Sequence, residues 1–264
     1  MNDDLKFFTD GAAYERLMGR WSQLVGAKFI EWLSAPKGLR WLDVGCGNGA
    51  FSEVLMTRCP PSELYGVDPS EAQIAFAGSR ESTKAVQFRI GDAQSLPFND
   101  ASFDAATMAL VIAFIPDPAK AVSEMARVVR PDGWVASYMW DAPEGGLPAQ
   151  PIAAAARALG MEARPAIPGF KFYALSDMQA LWERAGLREV ENRRIDIQAT
   201  YADFDDFWES NTLLGTPIAK MVDGLSVEDR NRIRTHLHDT LPRDAAGHIT
   251  CDAFANAVKG RVPS

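Results

Sequence analysis

Between residues 12 and 33, AAYERLMGRWSQLVGAKFIEWL, the apolar positions Leu17, Trp21, Leu24, Val25, Phe29, Trp32 and Leu33 recur three and four apart. That period predicts a leading amphipathic helix or helix pair. The pattern then changes to RWLDVG from Arg40, a short apolar run with the look of a strand buried on both faces, and returns to a helix over GAFSEVLMTR. ELYGVD, ending on Asp68, reads as a second strand, and PSEAQIAFAGSR as the helix after it, with Pro69 and Ser70 at its start. AVQFRIGDA, SFDAATMALVI and WVASYMW give three more strands, with the helix DPAKAVSEMARVVR and a PDG turn before the last of them. Strands alternating with helices at this spacing imply right-handed crossovers and a parallel sheet covered on both faces, a doubly wound α/β unit.

The rhythm breaks after Asp141. APEGGLPAQP and RPAIPGF are rich in Pro and Gly and flank a short helix, IAAAARALGM, which together read as a segment inserted over the open end of the sheet. SDMQALWERAGL predicts a helix capped by Ser176 or Asp177 and closed at Gly186, followed by the strand REVENRRIDIQAT. Three helical stretches come next, FDDFWESNTLLG, PIAKMVDGL and SVEDRNRIRTHLHDTL, and then a closing strand, HITCDAFANAVKG. This gives seven strands in one domain over 1–264: an N-terminal helical lid (1–35), a ligand-binding core (36–141), the insert (142–175), and C-terminal strands (176–264) with a helical cap at 202–242. There is no internal repeat.

Composition narrows the function classes. Of the 264 residues 47% are hydrophobic and 23% charged, and no apolar run approaches the roughly 20 residues of a membrane span. The acidic start, MNDDLKFFTDG, lacks the order of a secretory signal. Cys46, Cys59 and Cys251 are widely spaced and odd in number, with no paired spacing that suggests a disulfide framework or a zinc site, so reduced thiols, a cytoplasmic location and no metal are expected. Lys and Arg number 27 against 35 Asp and Glu, a net charge of −8 that would repel nucleic-acid phosphates. Whether the chain is a monomer or a homodimer stays open.

The candidate chemistry lies in RWLDVGCGNGAFSEVL, where Gly45, Gly47 and Gly49 follow a strand and precede a helix. In an open parallel sheet ligands bind beyond the carboxyl ends of the strands, where the order reverses. Glycines there permit positive φ, leave no Cβ between backbone and ligand, and let a helix N-terminus offer its N–H groups. Gly45, Gly47 and Ala50 also satisfy a dinucleotide fingerprint, and Asp68 follows Gly45 by 23 residues, close to the spacing of its ribose-binding acid. Against that reading, Asp43 on the strand end would confront a pyrophosphate, whereas it suits a ligand bearing an ammonium group.

LDVGCGNGAFS, GVDPSEAQI, GDAQSLPF, SFDAATMALVIAFIPD and RVVRPDGWV, in that order over residues 40–137, resemble the successive motifs of class I S-adenosylmethionine-dependent methyltransferases. YERLMGRWSQLV resembles the leader of the small-molecule subgroup that includes ubiquinone-biosynthesis-type enzymes, the methyltransferase type 11 group. The resemblance implies a Rossmann-like methyltransferase fold, a mostly parallel seven-stranded sheet with a leading helix and a helical insert or cap. It also implies S-adenosylmethionine as cofactor, S-adenosylhomocysteine as product, and a small, partly apolar methyl acceptor.

By the same resemblance Asp43 and the backbone of Gly45, Cys46, Gly47 and Gly49 would hold the methionine end of the cofactor, and Asp68, beside Pro69, would accept its ribose hydroxyls. Asp92, Ala93 and Gln94 would face adenine, and Met108 and Ala109 would line the methionine side. Tyr14 and Arg20 would close over the cofactor, Arg20 pairing with its carboxylate. Many relatives carry a His within the stretch matching ALVIAFIPD, where this chain has Ala113, so no role is transferred from it. No base is evident: His236, His238, Tyr173 and Asp141 are candidates only, and the catalytic residue is left unassigned. Trp140, Met161, Phe170, Phe172, Tyr173, Phe204, Phe207 and Trp208 are available for a lid over an apolar acceptor. The alternatives are a cofactor-binding module without turnover and a nicotinamide-dependent oxidoreductase, the latter without a Tyr-x-x-x-Lys pair.

Overall fold

A computed structural model describes residues 20–161, 174–212 and 217–264. The leading helix α1 spans Arg20–Leu33. Trp21, Val25, Phe29 and Leu33 form its buried face, and Leu24, assigned to that stripe by spacing, is instead 38% exposed. One register position separates the two faces, so Val25 takes the inward place.

The strands are β1 (Arg40–Val44), β2 (Glu63–Asp68), β3 (Gln87–Ile90), β4 (Phe103–Ala109), β5 (Val129–Trp140), β6 (Arg188–Tyr201) and β7 (Ile249–Arg261). They form one seven-stranded sheet in the order β3-β2-β1-β4-β5-β7-β6. β1 to β5 pair in parallel and β7 runs antiparallel to both neighbours. The helices between them are α2 (Ala50–Arg58), α3 (Glu71–Ser79), α4 (Pro118–Val128), α5 (Gln150–Ala158) and α6 (Leu175–Arg184). Then α7 (Phe204–Thr212), α8 (Pro217–Asp223) and α9 (Val227–Thr240) lie between β6 and β7.

Local chemistry explains most boundaries. Ser70 caps α3 by accepting from the Gln73 N–H, and Asp117 caps α4 ahead of Pro118, whose missing N–H costs nothing at the first helical position. Two expectations are corrected. Helix α6 is capped at Ala174, one turn ahead of the expected acid, and Asp177 reaches back to accept the Ala174 N–H at 3.2 Å. PDG is not a turn before a strand but a bulge inside β5: the β4 register passes from Phe103↔Val129 to Ala105↔Trp134. Gly133 is obligatory there, because a Cβ would lie 2.6 Å from the Asp104 carbonyl oxygen.

The core is continuous across both faces. The Phe29 ring of α1 sits 4.8 Å from Tyr138 on β5 and 6.0 Å from Phe51 on α2. On the far side of the sheet the buried Trp182 of α6 donates its indole N–H to the Val135 carbonyl at 2.8 Å. α1 is also tied to the antiparallel end: Trp21 Nε1 donates to Tyr201 Oη at 3.1 Å, and Asn211 Nδ2 of α7 donates to the same oxygen at 3.0 Å. Phe204 and Phe207 are buried and belong to this packing, as does Trp140, the last residue of β5.

Candidate functional site

Sheet order places the carboxyl ends of β3, β2, β1 and β4 side by side, and four sequence-predicted groups sit on them. Asp43 is the fourth residue of β1, Asp68 ends β2, Asp92 lies just past β3, and Met108 and Ala109 end β4. The ends of β2 and β3 are joined by the Gly91 N–H, which donates to the Asp68 carbonyl at 3.1 Å.

Asp43 is fully buried. Its Oδ2 accepts from Ser52 Oγ of α2 at 2.7 Å, and its Oδ1 is buried without a partner. Removal from water pushes this carboxyl up from 3.8 to about 7, against the Ser52 hydrogen bond and with a further push from the charge of Asp68. Asp68 is also raised by burial, though N–H donors oppose the shift: Ser70 N–H reaches Oδ1 at 2.9 Å and Gly47 N–H reaches Oδ2 at 3.0 Å. Each Asp68 oxygen has two lone pairs, so one backbone donor on each leaves capacity for a diol.

The three glycines are not equivalent. All have positive φ, at 71°, 50° and 82°. A Cβ on Gly45 would lie 2.5 Å from Val111 Cγ1, and one on Gly49 would press Ala77 and Phe88 at 3.3 Å, so both serve close packing. A Cβ on Gly47 would meet nothing within 4 Å. Gly47 is therefore the point where the loop presents bare backbone to open space.

Most of the N–H groups of the loop have acceptors within the protein. Gly45 and Cys46 both donate to the Val67 carbonyl, at 2.7 and 3.0 Å, Gly49 donates to the Cys46 carbonyl, and Ala50 to Asn48 Oδ1. With Gly47 committed to Asp68, the turn shows two acids and few donors. That is a poor cradle for a pyrophosphate and a suitable one for a cationic, hydroxyl-rich ligand. The Cys46 thiol is buried against the sheet, 2.9 Å from where a Gly66 Cβ would stand, and burial raises it well above the ordinary thiol value, so it is a filler rather than a nucleophile.

Past β3, Asp92 is exposed and accepts from the Gln94 backbone N–H at 2.8 Å and from its side-chain amide at 3.2 Å, while Ala93 is buried. Gln94 Oε1 in turn accepts the Asp117 N–H at 3.1 Å, linking this turn to the start of α4. Met108 is buried and its carbonyl accepts Ser137 Oγ at 2.7 Å. Pro69 is exposed beside Asp68. Arg20 opens α1, and Tyr14 and Tyr173 lie outside the described residues.

Of the base candidates that are described, His238 and Asp141 are engaged by neighbours. His238 pairs with Asp239 and His248 with Asp244, both exposed, and His236 borders a cleft of about 800 Å³ between the end of α5 and α9 that touches no glycine-loop residue. Asp141, just past β5, accepts from the buried Asn256 at 2.8 Å. Sequence reasoning missed Ser52, Leu110 and Val111. Ser52, the polar residue in GAFSEVL, was visible as an oddity in an apolar run; the others carry no sequence signal. Among the described residues no cluster of three or more His, Cys, Asp or Glu is placed to hold a metal ion, and no helix is long and apolar enough to cross a membrane.

This architecture is the Rossmann-like fold of the class I methyltransferases. Residues 42–137, from β1 through most of β5, match the family described as Methyltransferase domain. Over 116 residues the chain is 39% identical to a demethylmenaquinone methyltransferase of Desulfitobacterium hafniense, covering 42% of this chain and 46% of that protein. It is 36% identical over 109 residues to the chloroplastic 2-phytyl-1,4-beta-naphthoquinone methyltransferase of Arabidopsis thaliana, covering 39% and 42%. The chain thus spans about half the length of the curated relatives it matches. The solved phosphoethanolamine N-methyltransferase 2 of Haemonchus contortus, in complex with S-adenosyl-L-methionine, superposes with a TM-score of 0.59 at 18% identity, covering 99% of this chain and 57% of that one.

Proposed function

We propose that this chain transfers a methyl group from S-adenosylmethionine to a small, partly apolar acceptor. The observation that carries the reading is a pair of acids at neighbouring strand ends, the buried Asp43 with one unpartnered oxygen and the half-buried Asp68 at the tip of β2, which accepts from the N–H of the open backbone at Gly47. When bound, the cofactor supplies a methyl group on a sulfonium, already activated for displacement. Asp43 faces its ammonium, Asp68 accepts its ribose hydroxyls, Asp92, Ala93 and Gln94 flank adenine, and Met108 and Ala109 line the methionine side. Tyr14 and Arg20 belong to the same reading as the closing lid.

The task left to the protein is alignment and exclusion of water, and holding two reactants in line can supply roughly 7 to 11 kcal/mol. The segment from Ala109 to Ile115 is wholly apolar, and it supports an acceptor with an apolar ring. Two of the relatives are named as methyltransferases of demethylmenaquinone and of 2-phytyl-1,4-beta-naphthoquinone, so a quinone-like or phenolic ring is the acceptor class to test first. The buried free thiols of Cys46, Cys59 and Cys251 favour a reducing compartment such as the cytoplasm.

Titration calorimetry with S-adenosylhomocysteine and with NAD tests the cofactor. Binding of the former alone is expected, and binding of NAD alone would overturn the reading. Cofactor consumption across a panel of reduced naphthoquinones, phenols and amines tests turnover, and a panel with no consumption would leave a binding module.

A further inference from the structure

We propose that Leu110 and Val111 are positioning residues that hold the loop after β4 at a fixed spacing from the loop after β1. Five non-glycine residues among those described have positive φ: Ser34, Ala101, Leu110, Asp132 and Glu189. Leu110, at 60°, is the buried one, and the other four are exposed. Leucine has no polar side chain to bond its own backbone in this conformation, as Asn or Asp does, so the tertiary structure imposes it. The restraint is visible: the Leu110 N–H donates to the Tyr138 carbonyl of β5 at 2.9 Å, which ties the turn to the neighbouring strand.

The turn determines where the next residue goes. The two methyl carbons of Val111 occupy the space a Gly45 side chain would fill, at 2.5 and 2.6 Å from its Cβ position. From the other side, the Gly45 N–H is held by the Val67 carbonyl. Gly45 is therefore clamped between β2 and the β4 loop, and Gly47, two residues on, inherits that position. β1 and β4 are direct neighbours, with Asp43 opposite Thr107, so the clamp closes the gap between the part of the site assigned to the methyl donor and the apolar segment 111–115.

This inference rests on the methyltransferase reading, and the test separates the two. In calorimetry with S-adenosylhomocysteine, Val111→Ala should bind about tenfold more weakly with its thermal midpoint shifted by only a few degrees, because Val111 is half-buried. Val111→Thr, which keeps the branched shape, should bind within about twofold of wild type. Leu110→Gly, free to leave the turn, should weaken binding as Val111→Ala does. Wild-type affinity in Val111→Ala, or equal loss in the Thr variant, overturns the proposal. A ligand-free check stands apart from the cofactor: in chemical unfolding, Gly45→Ala and Val111→Ala should be strongly non-additive, the second partly relieving the first. Additive effects overturn the clamp even where S-adenosylhomocysteine binds, whereas a wild type that fails to bind it overturns the methyltransferase reading.

Discussion

The parallel and antiparallel halves of the sheet use the same kinds of residue for opposite ends. At the tips of β1 and β2 lie a fully buried acid, Asp43, with one unpartnered oxygen, and a half-buried one, Asp68, with a single backbone donor on each oxygen, and loss of water raises both of them. At the junction of β6 with α1 and α7, the polar groups are buried and mutually satisfied, with Trp21, Tyr201 and Asn211 sharing hydrogen bonds. A buried polar group with partners adds to stability and makes the packing specific. One without them costs stability and is retained where a ligand completes it. The contrast supports the proposed binding end in the first half and makes the second the frame that holds the leading helix.

The largest expected effect is at the glycine that packs. Gly45→Ala forces a Cβ into Val111 at a φ of 71°, and a loss of about 2 to 5 kcal/mol in chemical denaturation is expected from overpacking plus backbone strain. Gly47→Ala, with open space around it, should lose only about 1 to 2 kcal/mol of stability, the cost of the left-handed backbone. Equal losses at the two positions would erase the distinction between packing and ligand-facing glycines.

Next comes Asp68→Ala, which should weaken S-adenosylhomocysteine binding by about 1.5 to 3 kcal/mol in calorimetry, as for loss of a charged hydrogen-bonding partner. Tyr201→Phe should cost about 1 to 3 kcal/mol of stability, leaving the buried Trp21 N–H and Asn211 amide short of a partner, with cofactor affinity unchanged. An affinity loss in Tyr201→Phe as large as that in Asp68→Ala would break the comparison between the two halves.

The effect of pH on Asp43 sharpens it further. The folded protein holds this proton up to about pH 7 and the unfolded chain releases it near 3.8, so the folded state binds more protons between those values. The stability contributed by this group is fully present below pH 3.8 and is lost as pH rises towards 7, by at most about 1.4 kcal/mol per pH unit. Affinity for a ligand bearing an ammonium runs the other way: it should rise with pH up to about 7 and level off above, because the ion pair requires the carboxylate. Calorimetry from pH 5.5 to 8.5 checks the direction, and Asp43→Asn should flatten both trends. The smallest effects are expected from His238→Gln and His248→Gln, whose rings lie at the surface beside Asp239 and Asp244. Either one that lowers turnover more than about twofold would bring the antiparallel half into the chemistry.

The alternation of buried strands and amphipathic helices was legible along the whole described chain, since periodicity records which face of each element meets the core. Asp43 and Asp68 were legible because the strand-to-loop pattern brackets them. The Asp177 cap and the PDG bulge were misplaced because a side chain that reaches back one turn, or a strand that absorbs extra residues, leaves its neighbours' pattern unchanged. The packing constraint on Gly45 was not legible for a related reason: it comes from Val111, which lies 66 positions away in the sequence.

By itself, then, the sequence determined the element order, the parallel core and the residue types at the strand tips, all of which follow from local period and from turn chemistry. Only the tertiary structure decided which glycine packs and which faces open space, which N–H groups are already spent, and that a buried leucine adopts a left-handed turn. Those outcomes depend on contacts between segments far apart in the chain, where the energy of close packing overrides what any one segment prefers.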